Sequence, residues 1–167
     1  MISSLGVVRP GLLFAQPKPM TTNQPFSRAN IVLAHTTASA DSVLNAVVLH
    51  LQQTGFTLDT LDRGRGLVTT KVVLNSAYRE GGIKIRAVRV GTGPDWKFTG
   101  TYVIEAFGSG VAYPAEFRGA EIMPAMINFR MVEKTAQAIP RALLRYARGK
   151  VPFGVATRLE AALTAVW

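Results

Sequence analysis

The clearest pattern of hydrophobic and polar positions along the chain lies between residues 39 and 74. Apolar residues recur there at i, i+3, i+4 and i+7, which is typical of one face of a helix. Ser39 or Asp41 can cap the start of this helix, and Gly55 can end it because glycine readily adopts a left-handed backbone. The pattern therefore predicts an amphipathic helix between Ser39 and Gly55. Its apolar stripe consists of Leu44, Val47, Val48 and Leu51.

Strand patterns flank this helix on both sides. Ile31–His35 is a short apolar run that predicts a first strand. Residues 56–61 alternate between two faces, and residues 67–74 form a run rich in valine and threonine. The two glycines within residues 62–66 tolerate positive φ, so a tight turn is expected between these strands. The sequence therefore predicts a β-hairpin directly after the helix.

Two further strands are predicted after a polar loop at residues 75–82. Residues 83–90 read as a third strand, in which a shift of the apolar phase at Val88 predicts a β-bulge. A turn over 91–96 leads to a fourth strand over 97–107, with Phe98, Tyr102 and Ile104 on one face. The order β-α-β-β-β-β predicts an α+β fold with an antiparallel sheet of four to five strands. One helix covers too little of such a sheet, so a second helix is expected downstream.

The C-terminal third is predicted to supply that second helix. Residues 108–124 are loop-like, and a connection of this length is often functional. Pro140 falls within the following helical pattern and predicts a kink or two abutting helices. Residues 155–167 predict a short C-terminal helix. The helical pattern around the proline consists of Val132, Ala136, Ile139 and Leu143.

Proline and glycine interrupt the N-terminal region, which predicts an extended arm over residues 1–29. Arg9 and Pro10 split its apolar part, so the match to a signal peptide is poor, and both a secretory remnant and an arm lying on another surface stay open. The predicted domains are therefore the arm, an α+β domain over residues 30–148, and a C-terminal docking segment over residues 149–167.

Charge and composition narrow the class of partner. Nineteen lysines and arginines against ten acids give a formal charge of +9, which attracts nucleic acid, acidic proteins or anionic lipid. Hydrophobic residues make up 48% of the chain, yet no apolar run is long enough to span a bilayer. Cysteine is absent, which excludes disulfides, thiolate metal sites and cysteine nucleophiles.

Motifs for catalysis or cofactor binding are not recognisable. His35 and His50 are the two histidines, and neither position indicates a catalytic base. Asp59 and Asp62 lie beside arginines of the hairpin, where local ion pairing is the simpler interpretation. The glycine-rich runs lack the spacing of a dinucleotide or phosphate loop. We therefore expect no enzymatic activity, no cofactor and no metal site.

Candidate contact residues lie at the hairpin tip and in the C-terminal third. Two arginines occupy the hairpin tip, and three more recur at i, i+4 and i+7 as one basic stripe beyond Pro140. Methionine suits an adaptable binding face, and three of the five methionines fall within nine residues. The candidates for contact with a partner or an anion are Arg63, Arg65, Arg141, Arg145, Arg148, Met123, Met126 and Trp167.

The run GFTLDTLDRGRGLVTT resembles a pattern of small envelope domains, including those of the outer-membrane-assembly lipoprotein BamC. In that pattern a helix ends at glycine, a strand carries an acid, and the next strand begins G-x-(I/V)-x-T. The resemblance covers residues 30–148 and implies a helix-grip-like fold that serves as a scaffold within a larger membrane complex. This chain has no cysteine for lipidation. The matching residues are Gly55, Phe56, Asp62, Gly66, Leu67, Val68 and Thr69.

Together these features favour a noncatalytic accessory or structural subunit of a membrane-associated multiprotein complex. Such a complex is expected to be an envelope or bioenergetic assembly, gripped through the terminal extensions of the chain. The expected partners are other protein subunits and an anionic lipid surface. A basic nucleic-acid-binding domain is the alternative. The expected location is the cell envelope, in the periplasm and peripheral to the membrane, with the cytoplasm as the alternative.

Overall fold

The computed structural model describes residues 21–74, 81–106, 109–120, 124–149 and 154–156. These residues form an α+β fold with two helices and an antiparallel sheet, which confirms the expected class. The helices are α1 (Ala40–Gln53) and α2 (Pro124–Gln137). The strands are β1 (Thr21–Thr22), β2 (Ile31–His35), β3 (Leu58–Asp62), β4 (Leu67–Thr70), β5 (Val73–Leu74), β6 (Gly81–Arg89), β7 (Asp95–Ala106), β8 (Ser109–Pro114), β9 (Leu143–Ala147) and β10 (Gly154–Ala156).

The sheet is built around the long strand β7. Its main path runs in the order β1-β9-β2-β7-β6-β4-β3. Along one side β7 pairs with β6, whereas along the other side it pairs first with β2 and then with β8. Two short strands extend the sheet further, since β5 pairs with β6 and β10 pairs with β8. The described residues thus contain ten strands, and the expectation of four to five was wrong.

The predicted first helix is confirmed as α1. Ser39, rather than Asp41, is its N-cap, and its side chain accepts a hydrogen bond from the Ser42 backbone N–H at 3.2 Å. Asp41 lies in the first turn, where a carboxylate favours the positive end of the helix dipole. Gly55 follows the helix with a φ of +88°, in the left-handed region. The helix buries Val43, Leu44, Val47 and Leu51.

The hairpin is confirmed, but the bulge lies elsewhere. Gly66 has a φ of +61°, and a Cβ at this position would lie 2.7 Å from the Arg89 Cβ, so only glycine fits the turn. The register between β6 and β7 is unbroken from end to end, so the bulge predicted near Val88 was wrong. The register instead shifts between Leu58 and Thr60 in β3. The apolar phase shifts in β6 because Val88 lies on the opposite face of the sheet from Ala87, where it is partly buried.

The expected second helix is confirmed as α2, but its extent differs from the prediction. It ends at Gln137, before Pro140, so neither a kink nor a second abutting helix forms there. The residues after the proline form β9, which pairs with β2 in a register that places Arg145 opposite Leu33. The prediction of helix beyond Pro140 was wrong because this long-range pairing outweighs the local helical spacing.

Several other segments differ from their sequence-based prediction. The stretch expected to be a loop over 108–124 contains β8, and the run over 67–74 is two strands, β4 and β5. Gly81 and Gly82 belong to β6 rather than to the polar loop, whose other residues lie outside the described ranges. Residues 154–156 form β10 on β8, which replaces the start of the predicted C-terminal helix. Residues 157–167 also lie outside the described ranges.

Both helices cover the same face of the sheet. Gly100 of β7 allows this packing, because a Cβ there would lie 2.5 Å from the Val132 Cγ2 of α2. The largest fully buried side chains of this core are Trp96, Phe98 and Phe129. Neither helix of the described part of the chain is long and apolar enough to cross a membrane. The described residues place no helix over the opposite face, and we call its part around Leu33 and Lys97 the open face, since Thr101 and Val103 further along β7 are buried.

Candidate binding surface

Cationic and apolar side chains alternate across the open face in one row of the sheet. Strand register places Leu33 opposite Arg145 on one side and opposite Lys97 on the other. Lys97 lies opposite Val88, which lies opposite Leu67. Because Val32 is fully buried beneath the helices, its neighbour Leu33 must point to the open face, and the residues across from it share that face. We call these five residues the basic row: Arg145, Leu33, Lys97, Val88 and Leu67.

Two cations of the basic row have no acidic partner within the described ranges. Arg145 is exposed and Lys97 is half-buried, and neither forms an ion pair with another described residue. They flank Leu33, so their Cα atoms are separated by two strand spacings, about 10 Å in total. The open face therefore presents one cation on each side of the apolar side chain of Leu33.

A groove of about 750 Å³ lies at the end of this face, where β1, β2, β7 and β9 meet. Its apolar lining includes Leu33, Val90 and Leu143. Both of these outer residues are exposed, Leu143 to 69% and Val90 to 47%. Arg145 and Asn23 contribute polar groups to the same groove. The groove thus combines an apolar surface with an available cation.

His35 and Asp95 form a pair within the groove. The His35 Nδ1 lies 2.9 Å from the Asp95 Oδ1, and both side chains are about half exposed, at 49% and 53%. Among the described residues, no hydroxyl hydrogen-bonds to the other ring nitrogen of His35. The carboxylate therefore orients the imidazole at the end of two paired strands, and the pair contributes polarity to the groove.

The three C-terminal arginines do not form the predicted helical stripe. Arg141 lies in the turn before β9 with a φ of +56°, and Arg145 projects from β9 onto the open face. Arg148 follows the strand in the opposite phase of the alternation. All three are exposed. Only Arg145 therefore joins the basic row, and the stripe was wrong because residues 143–147 form a strand rather than a helix.

The arginines of the hairpin tip are engaged by acids and an amide. Arg63 donates to the Asn45 Oδ1 at 3.1 Å and lies 3.5 Å from the Asp41 Oδ1, so the tip reaches the first turns of α1. Arg65 lies 3.6 Å from the Asp62 Oδ2, which confirms the local ion pairing expected there. Asp59 pairs instead with Lys84 of β6, at 3.3 Å. Both arginines thus have acidic neighbours, whereas Arg145 forms no ion pair with a described residue.

The remaining candidates lie away from the groove or outside the described ranges. Met126 is a buried residue of α2, at 8% exposure, whereas Met123 and Trp167 are outside the described residues. His50 is half-buried on α1, where burial and, second, the charge of Lys134 lower its pKa from the ordinary value. Within the described ranges, no three histidine, cysteine or acidic residues are grouped so that they could hold a metal ion.

Leu33, Lys97 and the groove were missed by sequence reasoning. The alternation of β2 and β7 assigns each of these side chains to a face, but only the strand register shows that Lys97 and Arg145 flank Leu33. Because β2 and β9 are more than one hundred positions apart in the chain, no local pattern brings them together. Helical spacing placed Leu143 in the apolar pattern of the second helix, so Leu143 was not identified as an exposed residue of a strand.

No protein-family model matches this chain, and no curated protein matches it. The resemblance to BamC-like envelope domains therefore stays a prediction.

Proposed function

We propose that this protein is a noncatalytic accessory or structural subunit of a membrane-associated multiprotein complex, and that the open face binds acidic surfaces of its partners. The observation that carries the proposal is the position of Lys97 and Arg145, two cations without acidic partners among the described residues, on either side of Leu33. Cation pairs with an apolar centre suit an acidic protein surface, because charge guides the encounter and apolar contact supplies affinity.

The overall charge supports the same kind of partner. The formal charge of +9 raises the rate of association with any anion, whereas the fixed spacing in the basic row selects among anions. Anionic lipid head groups fit the same cations, so a peripheral position at a membrane of the cell envelope, on its periplasmic side, belongs to the proposal. A cytoplasmic membrane surface offers the same chemistry.

Nucleic acid is the alternative partner for a basic sheet face. Proteins that read single strands on a sheet stack bases on aromatic side chains. The three apolar side chains of the basic row are leucine and valine, which offer no stacking surface. Acidic protein is therefore favoured over nucleic acid.

The test compares two double charge reversals of equal net charge. Lys97→Glu with Arg145→Glu changes the basic row, whereas Lys71→Glu with Lys134→Glu changes two exposed lysines elsewhere. Each protein is purified under mild detergent from its native source, and the copurifying subunits are identified. We expect the first double variant to lose the partners and the second to retain them. Equal retention by both variants would overturn the role of the open face.

Binding to anionic vesicles and to a random DNA duplex is measured with the same two variants. Loss of DNA binding in the basic-row variant, with copurification unchanged, would favour the nucleic-acid alternative.

The terminal extensions have their own test. Thr21 and Thr22 pair with β9, so a deletion that spares the sheet must end at residue 20. We expect the protein without residues 1–20 to keep its unfolding transition but to lose copurifying partners. Retained copurification would remove the gripping role of the arm.

A further inference from the structure

The edge of β9 is only partly covered. On the side away from β2, Thr21 and Thr22 pair with Ala147 and Tyr146. Residues 143–145 have no strand on that side among the described residues. The chain leaves the edge directly after Thr22, because the Thr22 hydroxyl donates to the Gln24 carbonyl and a bend follows. Within the described part of the chain, the three residues at the start of β9 therefore form an unpaired edge.

An unpaired edge of this kind accepts an extended chain. In an antiparallel ladder alternate residues direct their N–H and C=O groups to opposite sides, so a strand with one neighbour keeps free donors and acceptors. The other end of the sheet shows the usual protection, since β3 carries Asp59 and Asp62 and is bulged between Leu58 and Thr60. The register of β9 with β2 is unbroken. The β9 edge thus lacks the bulge that protects β3.

The side chains beside this edge define what it would accept. A strand added to β9 places its side chains opposite Leu143 and Arg145 on the open face, two residues apart. Leu143 is 69% exposed and lines the groove, as do Leu33 and Val90. Arg145 forms no ion pair with a described residue. An apolar side chain and an acidic side chain therefore match these two positions.

We propose that residues 143–145 bind an extended segment of a partner protein as an added β-strand, with an acidic residue on Arg145 and an apolar residue on Leu143. Alignment antiparallel to β9, as for β1 and β2, requires the order acidic-x-apolar in the partner. This inference rests on the proposed function in one respect, namely that the partner is a protein. The inference goes beyond the proposed function in two ways: it specifies the side chains of the bound segment, and it assigns the binding to the backbone of β9.

The direct test uses a short synthetic peptide with the central sequence Thr-Glu-Thr-Leu-Thr and the intact protein. We expect binding by titration calorimetry and shifts of the backbone amide signals of residues 143–145 in NMR spectra. Arg145→Glu should weaken binding about tenfold or more, and a peptide with lysine in place of glutamate should restore binding to that variant. Methylation of alternate peptide nitrogens should abolish binding, because it removes the strand hydrogen bonds.

Leu143→Ser and the exposed control Leu49→Ser separate the groove from general apolar contact. The first variant should lose affinity and the second should not. Equal binding of the methylated peptide, or the absence of amide shifts at residues 143–145, would overturn the strand addition. If the intact protein does not bind the peptide but still copurifies with its partners, the strand addition is wrong and the proposed function stands. If sedimentation experiments show self-association through this edge, the bound segment comes from a second copy of this chain instead of a partner protein.

Discussion

The Tyr146 hydroxyl donates a 2.7 Å hydrogen bond to the Glu133 Oε1, and this bond joins β9 to α2. The Glu133 side chain is buried, and its second oxygen accepts from Arg130 Nη1 at 2.5 Å. A buried carboxylate is costly unless both of its oxygens are satisfied, and here a phenol and a guanidinium satisfy them. The strand that bears the proposed binding edge is therefore anchored to the helical layer beneath it.

Replacement of Tyr146 by phenylalanine removes one of these partners. We expect Tyr146→Phe to lower the free energy of unfolding by about 1.5–3 kcal/mol, because the hydrogen bond is buried and its acceptor is charged. Urea denaturation measures the change. A double-mutant cycle with Glu133→Gln isolates the pair, and additive effects of the two substitutions would show that the two side chains are not coupled.

The same contact predicts a change of stability at high pH. Burial, followed by the hydrogen bond to Glu133 and the charge of that residue, raises the pKa of Tyr146 well above its ordinary value. The unfolded chain releases this proton near pH 10 while the folded chain keeps it, so the free energy of unfolding falls as the pH rises above about 10. In Tyr146→Phe the free energy of unfolding should fall less steeply between about pH 9 and 11, a range centred on the ordinary pKa of tyrosine. Denaturation at a series of pH values measures the slope. Identical slopes would contradict the assignment.

His50 predicts the opposite behaviour at acidic pH. Burial, and second the charge of Lys134, lower the pKa of His50 in the folded protein. The unfolded chain takes up this proton near pH 6.5, so the free energy of unfolding falls as the pH drops through and below that value. His50→Gln should reduce this dependence, whereas His35→Gln serves as the comparison at the exposed pair. NMR titration of His50 measures its pKa directly, and a His50 pKa at or above the ordinary value would contradict the prediction.

Gly100 predicts a packing limit between the sheet and α2. A Cβ at this position would lie 2.5 Å from the Val132 Cγ2 and 3.1 Å from the Ala115 Cβ. Gly100→Ala should lower the free energy of unfolding by about 1–3 kcal/mol through overpacking. Gly93→Ala is the matched control, since a Cβ there meets its nearest atom at 3.7 Å. Equal effects of the two substitutions in thermal denaturation would show that backbone entropy, rather than the contact with α2, governs both.

Local sequence was sufficient for the elements whose signals are short-range. The Ser39 cap, the apolar stripe and Gly55 define α1, and positive φ at Gly66 fits the predicted hairpin. The strand over residues 31–35 has the predicted bounds. In each case the deciding interactions lie within a few positions of one another, so propensity and periodicity agree with the final structure.

The sequence failed where the deciding partner lies far along the chain. Leu143 continues the helical spacing of the apolar residues in α2, yet residues 143–147 pair with β2 and form a strand. The short strands β1 and β10 carry no alternation long enough to recognise, and they form because β9 and β8 offer edges. Pairing energy arises only after distant segments meet, so it is invisible to a local pattern.

By itself the sequence determined the fold class, the first helix with its hairpin, the need for a second helical cover, and the basic character of the surface. Those properties follow from periodicity, capping and residue counts, which need no knowledge of distant contacts. Only the tertiary structure decided that Lys97 and Arg145 flank Leu33, and that no described strand covers the outer side of β9 beside exposed Leu143. The physical reason is strand register: it sets which side chains share a face, and it is fixed by pairing between segments more than sixty positions apart.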